Sequence, residues 1–513
     1  MRKTLLIILA TIFIFGAKPQ YCAANETFNL AGVIESFINY QDKNENIQEV
    51  EKNAKEEFLG AVNNIYNGNV VVARSEFSKT VDLLDNEAAL LMFAKKMYQY
   101  GFFTLGNKAI AKIPNKTNIQ KQAQNLKEYY SPSYRLSEDE ENYLVKAYSS
   151  IFYNNSPEEV AFNLIKKTNL LENSDYANYI MALSMDECKQ YAQALIYINR
   201  AIDKNDKNPN YKYLKAKTLS SNKKYKEALK YINENENKIS VYAKNDMKIL
   251  KQEVLSNLVS NDTDKKFYQI YAYYLDGNYY KVLNETKNIL NFYKNNPKIL
   301  TLQGMAHMAI GENNLAENDF NLSYKQNKKF PLTQMGLADC NFINQKYKNA
   351  YEKYKKLINS EFRNEAILKS YISLEKAKPN DKKLLKLKKQ KDLIEDKTYY
   401  EYYKISNDII KNDNEKKKYM ARSLSQNLLY KDAWDVLFDM DYKDSNYDNI
   451  EKIAFILLFS DDMNAEYYYY QALSQNHKNN KKEAFRELKK AVSINPDYKP
   501  AIELMNKLQN ELI

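Results

Sequence analysis

The strongest constraint on this chain is an internal repeat, because short residue patterns return at intervals of 34. Tyr191-Ala192-Gln193-Ala194-Leu195 is followed 34 residues later by Tyr225-Lys226-Glu227-Ala228-Leu229. Gly311-Glu312-Asn313-Asn314-Leu315-Ala316 and Gln345-Lys346-Tyr347-Lys348-Asn349-Ala350 have the same spacing, and a step of 34 back from Ala316 and from Ala194 reaches Val282 and Val160. A fixed period of this length marks an array of small units, each unable to bury its own apolar face and each completed by its neighbours.

The chemistry within a period is helical. Small residues recur 12 apart at Ala61/Ala73, Ala182/Ala194, Ala216/Ala228, Gly304/Ala316, Ala338/Ala350, Ala421/Ala433 and Ala472/Ala484. Two antiparallel helices joined by a short turn approach closely only where neither presents bulk. Four residues past the second small position comes a larger apolar side chain, one turn along the same face: Phe77, Ile198, Ile232, Phe320, Tyr354, Leu437 and Leu488. Pro209, Pro297, Pro331, Pro379 and Pro496 fall between the expected helix pairs, where a missing amide costs little. Ser137-Glu138-Asp139-Glu140 and Ser156-Pro157-Glu158-Glu159 have the pattern of capped helix starts. Glycine and proline number only ten each while hydrophobic residues make up 44%, poor material for an all-β chain and ample for a helical one.

With these positions in hand the chain resembles the tetratricopeptide repeat (TPR) family. That pattern has small residues at repeat positions 8, 20 and 27, an aromatic near 11 and proline near 32. The last copy follows it best, with Tyr468, Ala472, Ala484, Leu488, Ala491 and Pro496. The resemblance spans most of residues 50–510, most clearly 175–360 and 465–500. It implies an all-α fold, an α-solenoid wound as a right-handed superhelix of TPR-like antiparallel helix pairs. Irregular extra helices are expected where steps of about 54 residues replace the 34-residue period, as in the stretch Ile239–Leu258. The segments expected are a signal peptide at 1–24, a degenerate N-terminal helical region at 25–130, the main array at 137–375, a basic irregular connector at 376–420 and C-terminal repeats at 421–513.

The first 24 residues have a separate purpose. Arg2 and Lys3 precede an apolar run from Leu5 to Phe15, and Cys22-Ala23-Ala24 offers small residues to a signal peptidase. The run is short for a membrane span, and no later stretch is long and apolar enough to be one. The expectation is an exported bacterial chain beginning near Asn25, periplasmic or associated with the cell envelope; a retained signal anchor is the alternative. Cleavage would remove three basic residues and no acid, so the net charge of +11 would fall by three to +8. That is mild for this length, and export argues against intracellular nucleic acid as a partner. Cys188 and Cys340, 152 residues apart, read as two buried thiols rather than a bridge.

Catalytic or metal chemistry is hard to build from this inventory, and neither cofactor nor metal is expected. Of two histidines, His307 occupies an aromatic core position and His477 ends a helix. Gly101-Phe102-Phe103-Thr104-Leu105-Gly106-Asn107-Lys108 only superficially evokes a phosphate loop, since no hydroxyl follows the lysine and no strand precedes it. Asp439–Asp448 and the pair Asp461, Asp462 lack the glycine and terminal glutamate of a calcium loop. The resemblance places positions 2, 5, 9 and 12 of each first helix on a concave groove. Carried over repeat by repeat, these are Tyr176, Tyr179, Tyr213, Phe267, Tyr271, Tyr274, Met305, Met308, Met335, Phe342 and Tyr469. Such a lining suits apolar or extended peptide segments. The competing reading is that these rings serve packing between repeats, in a chain with 45 tyrosines. Of the lysines and asparagines that clamp a C-terminal carboxylate in some family members, only Lys217 and Lys298 have counterparts. The function expected is a non-catalytic scaffold of the cell envelope that binds a protein or peptide. The alternative is a glycan-associated member acting in polysaccharide export or cell-wall assembly.

Overall fold

The computed structural model describes residues 45–114, 118–235, 244–394 and 398–512; the segment 1–24 lies outside them. Among the described residues there are 28 α-helices, one π-helical turn and no strand. No described helix is long and apolar enough to cross a membrane. Among the described residues two compact units form: Lys212–Asn427, and 45–211 together with 428–512. Proximity in space thus groups 45–130 with 428–512.

Helix pairs form where the small residues place them. Glu45–Tyr66 packs on Val70–Leu83, Asp175–Glu187 on Tyr191–Lys204, Pro297–Ala309 on Asn313–Gln326, Pro331–Ile343 on Tyr347–Leu357, and Ala465–His477 on Lys481–Ile494. Ala61, Ala73, Ala182, Ala194, Ala216, Ala228, Ala316, Ala338, Ala350, Ala472 and Ala484 are all fully buried, as are Phe77, Ile198, Ile232, Phe320, Tyr354 and Leu488. Ala421 and Ala433 belong to different units, because the division falls between Asn427 and Leu428. Pro209, Pro297 and Pro331 are the first residues of their helices, the one place where a ring that fixes φ and lacks an N–H is preorganised for the helix. Ser137 and Glu140 form a reciprocal capping box. Ser156 does not cap its helix; its hydroxyl donates to Asn154 O, and Pro157 starts the helix instead.

The turns carry a regularity of their own. In eight of the three-residue connections among the described residues the middle residue is left-handed: Gly68, Lys189, Lys223, Gly277, Gly311, Gln345, Ser445 and Asn479, with φ between 56° and 87°. The residue after it donates to the carbonyl five back, as in Lys224 N to Leu219 O (2.9 Å) and Lys346 N to Asn341 O (2.8 Å). This is the Schellman closure, which satisfies carbonyls left over at a helix end. Only three of the eight middle residues are glycine, so the other five bear Cβ strain.

In the Lys212–Asn427 unit, the Phe320 ring is a wedge shared by successive pairs. A Cβ added to Gly304 would lie 3.0 Å from the ring, and one added to Gly336 only 2.3 Å from it. In the other unit, chain-distant helices meet. Phe58 packs edge-on against Phe459 (4.9 Å), Lys55 pairs with Glu487 (2.8 Å), and Lys96 pairs with Asp462 (2.7 Å), which also accepts from Tyr66 Oη (3.1 Å).

Two substitutions test these devices. Gly336→Ala should destabilise the protein by about 1–3 kcal/mol through overpacking against Phe320, with part recovered in a Gly336→Ala/Phe320→Leu double variant. Denaturant midpoints of the four members of that cycle measure it, and simple additivity would remove the wedge. Gln345→Gly should gain about 0.5–1 kcal/mol, because relief of left-handed strain exceeds the entropic cost of glycine; a lower midpoint would contradict the strain.

Candidate functional site

The first helices Asp262–Leu275, Pro297–Ala309, Pro331–Ile343 and Arg363–Ala377 succeed one another in the Lys212–Asn427 unit. They carry most of the aromatic and methionine residues expected on a concave face. These side chains are covered: Phe267 and Tyr274 are 5% exposed, Met305 8%, and Met308, Met335 and Phe342 4% each. Tyr271 is half-buried beside them.

The cover is the chain itself. Tyr399–Lys404 is a short helix that continues as a π-helical turn, Ile405–Ile409. The turn packs on Pro297–Ala309 and Pro331–Ile343, and the short helix packs on Arg363–Ala377. Tyr402, Ile405, Ile409 and Ile410 join one apolar cluster with Phe267, Tyr274, Met305, Met308, Met335 and Phe342. The stretch 376–420, read from sequence as a basic connector, therefore supplies core.

A buried chain of charges runs alongside. Lys369 Nζ donates to both carboxylate oxygens of Asp339 (2.8 and 2.9 Å) and pairs with Glu365 (2.7 Å). Glu365 also meets Lys404 Nζ (3.5 Å), which lies 4.0 Å from Asp408 and over the Tyr274 ring. Burial alone would raise Glu365, but the Lys369 and Lys404 ammonium groups outweigh it and hold the carboxyl at about 2, against an ordinary 4.5. Burial would lower Lys404, yet Glu365 and its other neighbours keep it well above the usual lysine range. Asp339 and Asp408 are raised, chiefly by burial. Sequence reasoning passed over Glu365, Lys369, Lys404 and Asp408. The available signal was charge at i, i+4 inside apolar helices, as in Glu365-Ala366-Ile367-Leu368-Lys369.

The other expected face residues lie elsewhere. Tyr213 is half-buried at the start of the Lys212–Asn427 unit. In the second unit Tyr176 is buried edge-on against Phe103 (4.8 Å), and Tyr179 leans on Tyr211 (5.0 Å), which donates to the buried Asp175. Tyr469 is half-buried and meets Tyr498 edge-on (5.5 Å). The Tyr176, Tyr179 and Tyr469 rings all touch rings outside their own helices.

Helix pairs at 34-residue spacing, small residues at most crossings, a left-handed turn shared by eight connections and first helices sharing a face in Lys212–Asn427 define the architecture. It is the tetratricopeptide-repeat fold. No protein-family model matches the chain, and no curated protein matches it. Among solved structures, the Cut9–Hcn1 hetero-tetramer of the APC/C is similar at 12% identity over 72% of this chain and 90% of that one, with a TM-score of 0.26. TTC0263, a thermophilic TPR protein of Thermus thermophilus, is 17% identical over 43% of this chain and 97% of that one, with a TM-score of 0.17. The human IFIT1 dimer with PPP-AAAA is 14% identical over 88% of this chain and 100% of that one, with a TM-score of 0.24.

The remaining polar candidates in the TPR fold have structural partners. His307 Nδ1 lies 2.8 Å from Asp319 Oδ2, so the half-buried ring is a hydrogen-bonding group at an aromatic position. His477 is exposed and stacks on Tyr447 (4.4 Å). Lys298 pairs with Asp264 (2.7 Å) and Lys108 with Asp82 (2.7 Å). Gly101 is a left-handed helix cap pressed against Tyr176, where a Cβ would lie 2.7 Å from the phenol oxygen. Cys340 is buried, whereas Cys188 is partly exposed, so only one of the two thiols matches expectation. Among the described residues no group of three His, Cys, Asp or Glu converges as a metal site.

Glu365 makes the buried network testable. Its depressed folded value means that its contribution is present above the ordinary 4.5 and is lost as pH falls towards about 2. Glu365→Gln should therefore cost about 3 kcal/mol at neutral pH. The gap to the parent protein should close between pH 4.5 and about 2. Thermal unfolding followed across that range measures it, and a gap independent of pH would refute the assignment.

Proposed function

We propose that this chain is a non-catalytic interaction scaffold of the bacterial cell envelope that docks a protein or peptide through its TPR helix pairs. The observation that carries the reading is the face formed by the first helices of Lys212–Asn427: aromatic, methionine and aliphatic side chains from successive repeats converge there on one helical segment. Tyr402, Ile405 and Ile409 stand at i, i+3 and i+7, the anchor spacing by which an amphipathic helix lies in an apolar groove. A surface that holds such a segment has the chemistry to hold a partner's. Location in the envelope rests on the basic start, apolar run and small residues of 1–24.

A glycan-binding role would need ring faces open to sugar. Tyr274 is buried, and Tyr271 stacks on both Phe267 (5.9 Å) and Tyr274 (6.2 Å). The protein partner is therefore the stronger reading.

Two measurements test it. N-terminal sequencing of the exported protein should begin near Asn25, and an intact Met1 on a membrane-retained chain would replace secretion with anchoring. Crosslinking in envelope extract, followed by capture of the full mature chain, should recover a defined protein. Recovery of envelope polysaccharide alone, with binding weakened by Tyr271→Ala, would sink the scaffold reading in favour of glycan.

A further inference from the structure

Resting on that reading, we infer that the face of the Lys212–Asn427 unit is a helix-binding groove held shut in cis by Tyr399–Ile410. We infer further that the partner it accepts is an amphipathic helical peptide with this segment's own chemistry. That chemistry is an aromatic anchor followed at three and seven residues by isoleucines, with a lysine between the first two anchors.

Four observations point the same way. The segment lies across first helices up to four helix pairs earlier in the chain, instead of stacking only on the preceding pair: Lys404 stands over Tyr274, 5.7 Å from the ring centre, and the π-helical turn packs on Pro297–Ala309. Its four apolar anchors, Tyr402, Ile405, Ile409 and Ile410, are each at most 2% exposed. Its hold on the groove includes a specific electrostatic contact, in which Lys404 is placed at Glu365, itself already paired with Lys369. A basic side chain at that point in a ligand would be selected, since a neutral or acidic one would leave part of the carboxylate's charge uncompensated.

The local helix is also weak. Six α-helical residues are followed by five in a π-helical turn, a geometry that is rare and concentrated at functional positions. Glu401, within the segment, has one buried carboxylate oxygen without a hydrogen-bond partner. On the groove side the closed state is held by apolar anchoring and the Lys404 contact, with Lys248 over the Tyr400 ring, while Ser406 Oγ to Lys416 O (2.8 Å) and Ser423 Oγ to Tyr399 O (2.8 Å) tie the segment to the following helix, Asp413–Gln426. A cis occupant reduces the apparent affinity of a trans ligand by the fraction of molecules in which the groove is open.

The test uses the full chain and a fluorescent synthetic peptide comprising residues 398–411. The parent protein should bind it weakly. Ile405→Asp/Ile409→Asp, which loosens the segment without altering the groove, should bind the peptide about tenfold more tightly or better. Lys404→Gln, a milder change, should give an intermediate gain. A peptide carrying the Lys404→Gln change should lose affinity for the loosened protein. If the loosened proteins keep their helical circular dichroism and bind no peptide, the inference fails.

Hydrogen exchange on the unaltered protein supplies a readout independent of mutation. Amides of Tyr399–Ile410 should exchange at least about tenfold faster than those of Pro297–Ala309 and Pro331–Ile343. Equal protection would make the segment a permanent part of the core and overturn the proposal. Capture of an envelope protein by a chain that fails both assays would leave the scaffold reading standing and remove only the groove. Peptide binding with no envelope partner would do the reverse.

Discussion

The close approach of helix backbones at positions without bulk is the constraint on which the rest of this structure depends. Wherever Ala61 faces the Ala73 helix, or Ala338 the Ala350 helix, two helices come near enough for the next turn to bury a large side chain completely. Phe320 shows how little slack remains. It takes the space that side chains at Gly304 and Gly336 would have used and so ties one helix pair to the next. Packing at this density transmits position, because each pair can be set against its neighbour in only one way.

That rigidity gives the first helices a common face, and the face decides which residues are functional candidates. Met305 on one first helix and Met335 and Phe342 on the next reach one apolar cluster because the pairs repeat with a fixed offset. Tyr399–Ile410 completes the cluster and brings Lys404 and Asp408 into a charge network that already joins Asp339, Glu365 and Lys369. Buried charges of this kind add specificity more readily than stability, since desolvation offsets much of their attraction.

Much of the architecture was legible because it is local. Small residues 12 apart, an apolar residue four further on and prolines at helix starts are statements about one helix pair, and the sequence writes them directly. The shared left-handed turn was harder to see. Gly68, Gly277 and Gly311 hint at it, but Lys189, Lys223 and Gln345 have no intrinsic preference for that conformation and adopt it because the Schellman bonds close there. The aromatic face is legible only as a set of positions in the first helices. Its occupant was missed because Tyr399–Ile410 is distant in sequence and departs from the repeat register. Repeat periodicity cannot announce a segment that breaks the period. The same holds for Phe58 on Phe459 and Lys96 on Asp462, pairings hundreds of residues apart with no local signature.

Those last pairings impose an order on biogenesis. Residues 45–211 leave the ribosome before 428–512, so Phe58, Lys55 and Lys96 must wait for Phe459, Glu487 and Asp462 before their surfaces are complete. The intervening unit, Lys212–Asn427, builds its apolar cluster from residues that are all made before 428–512. Synthesis thus lets the middle unit pack while the helices that precede it are still half-covered, so surfaces made early mature late.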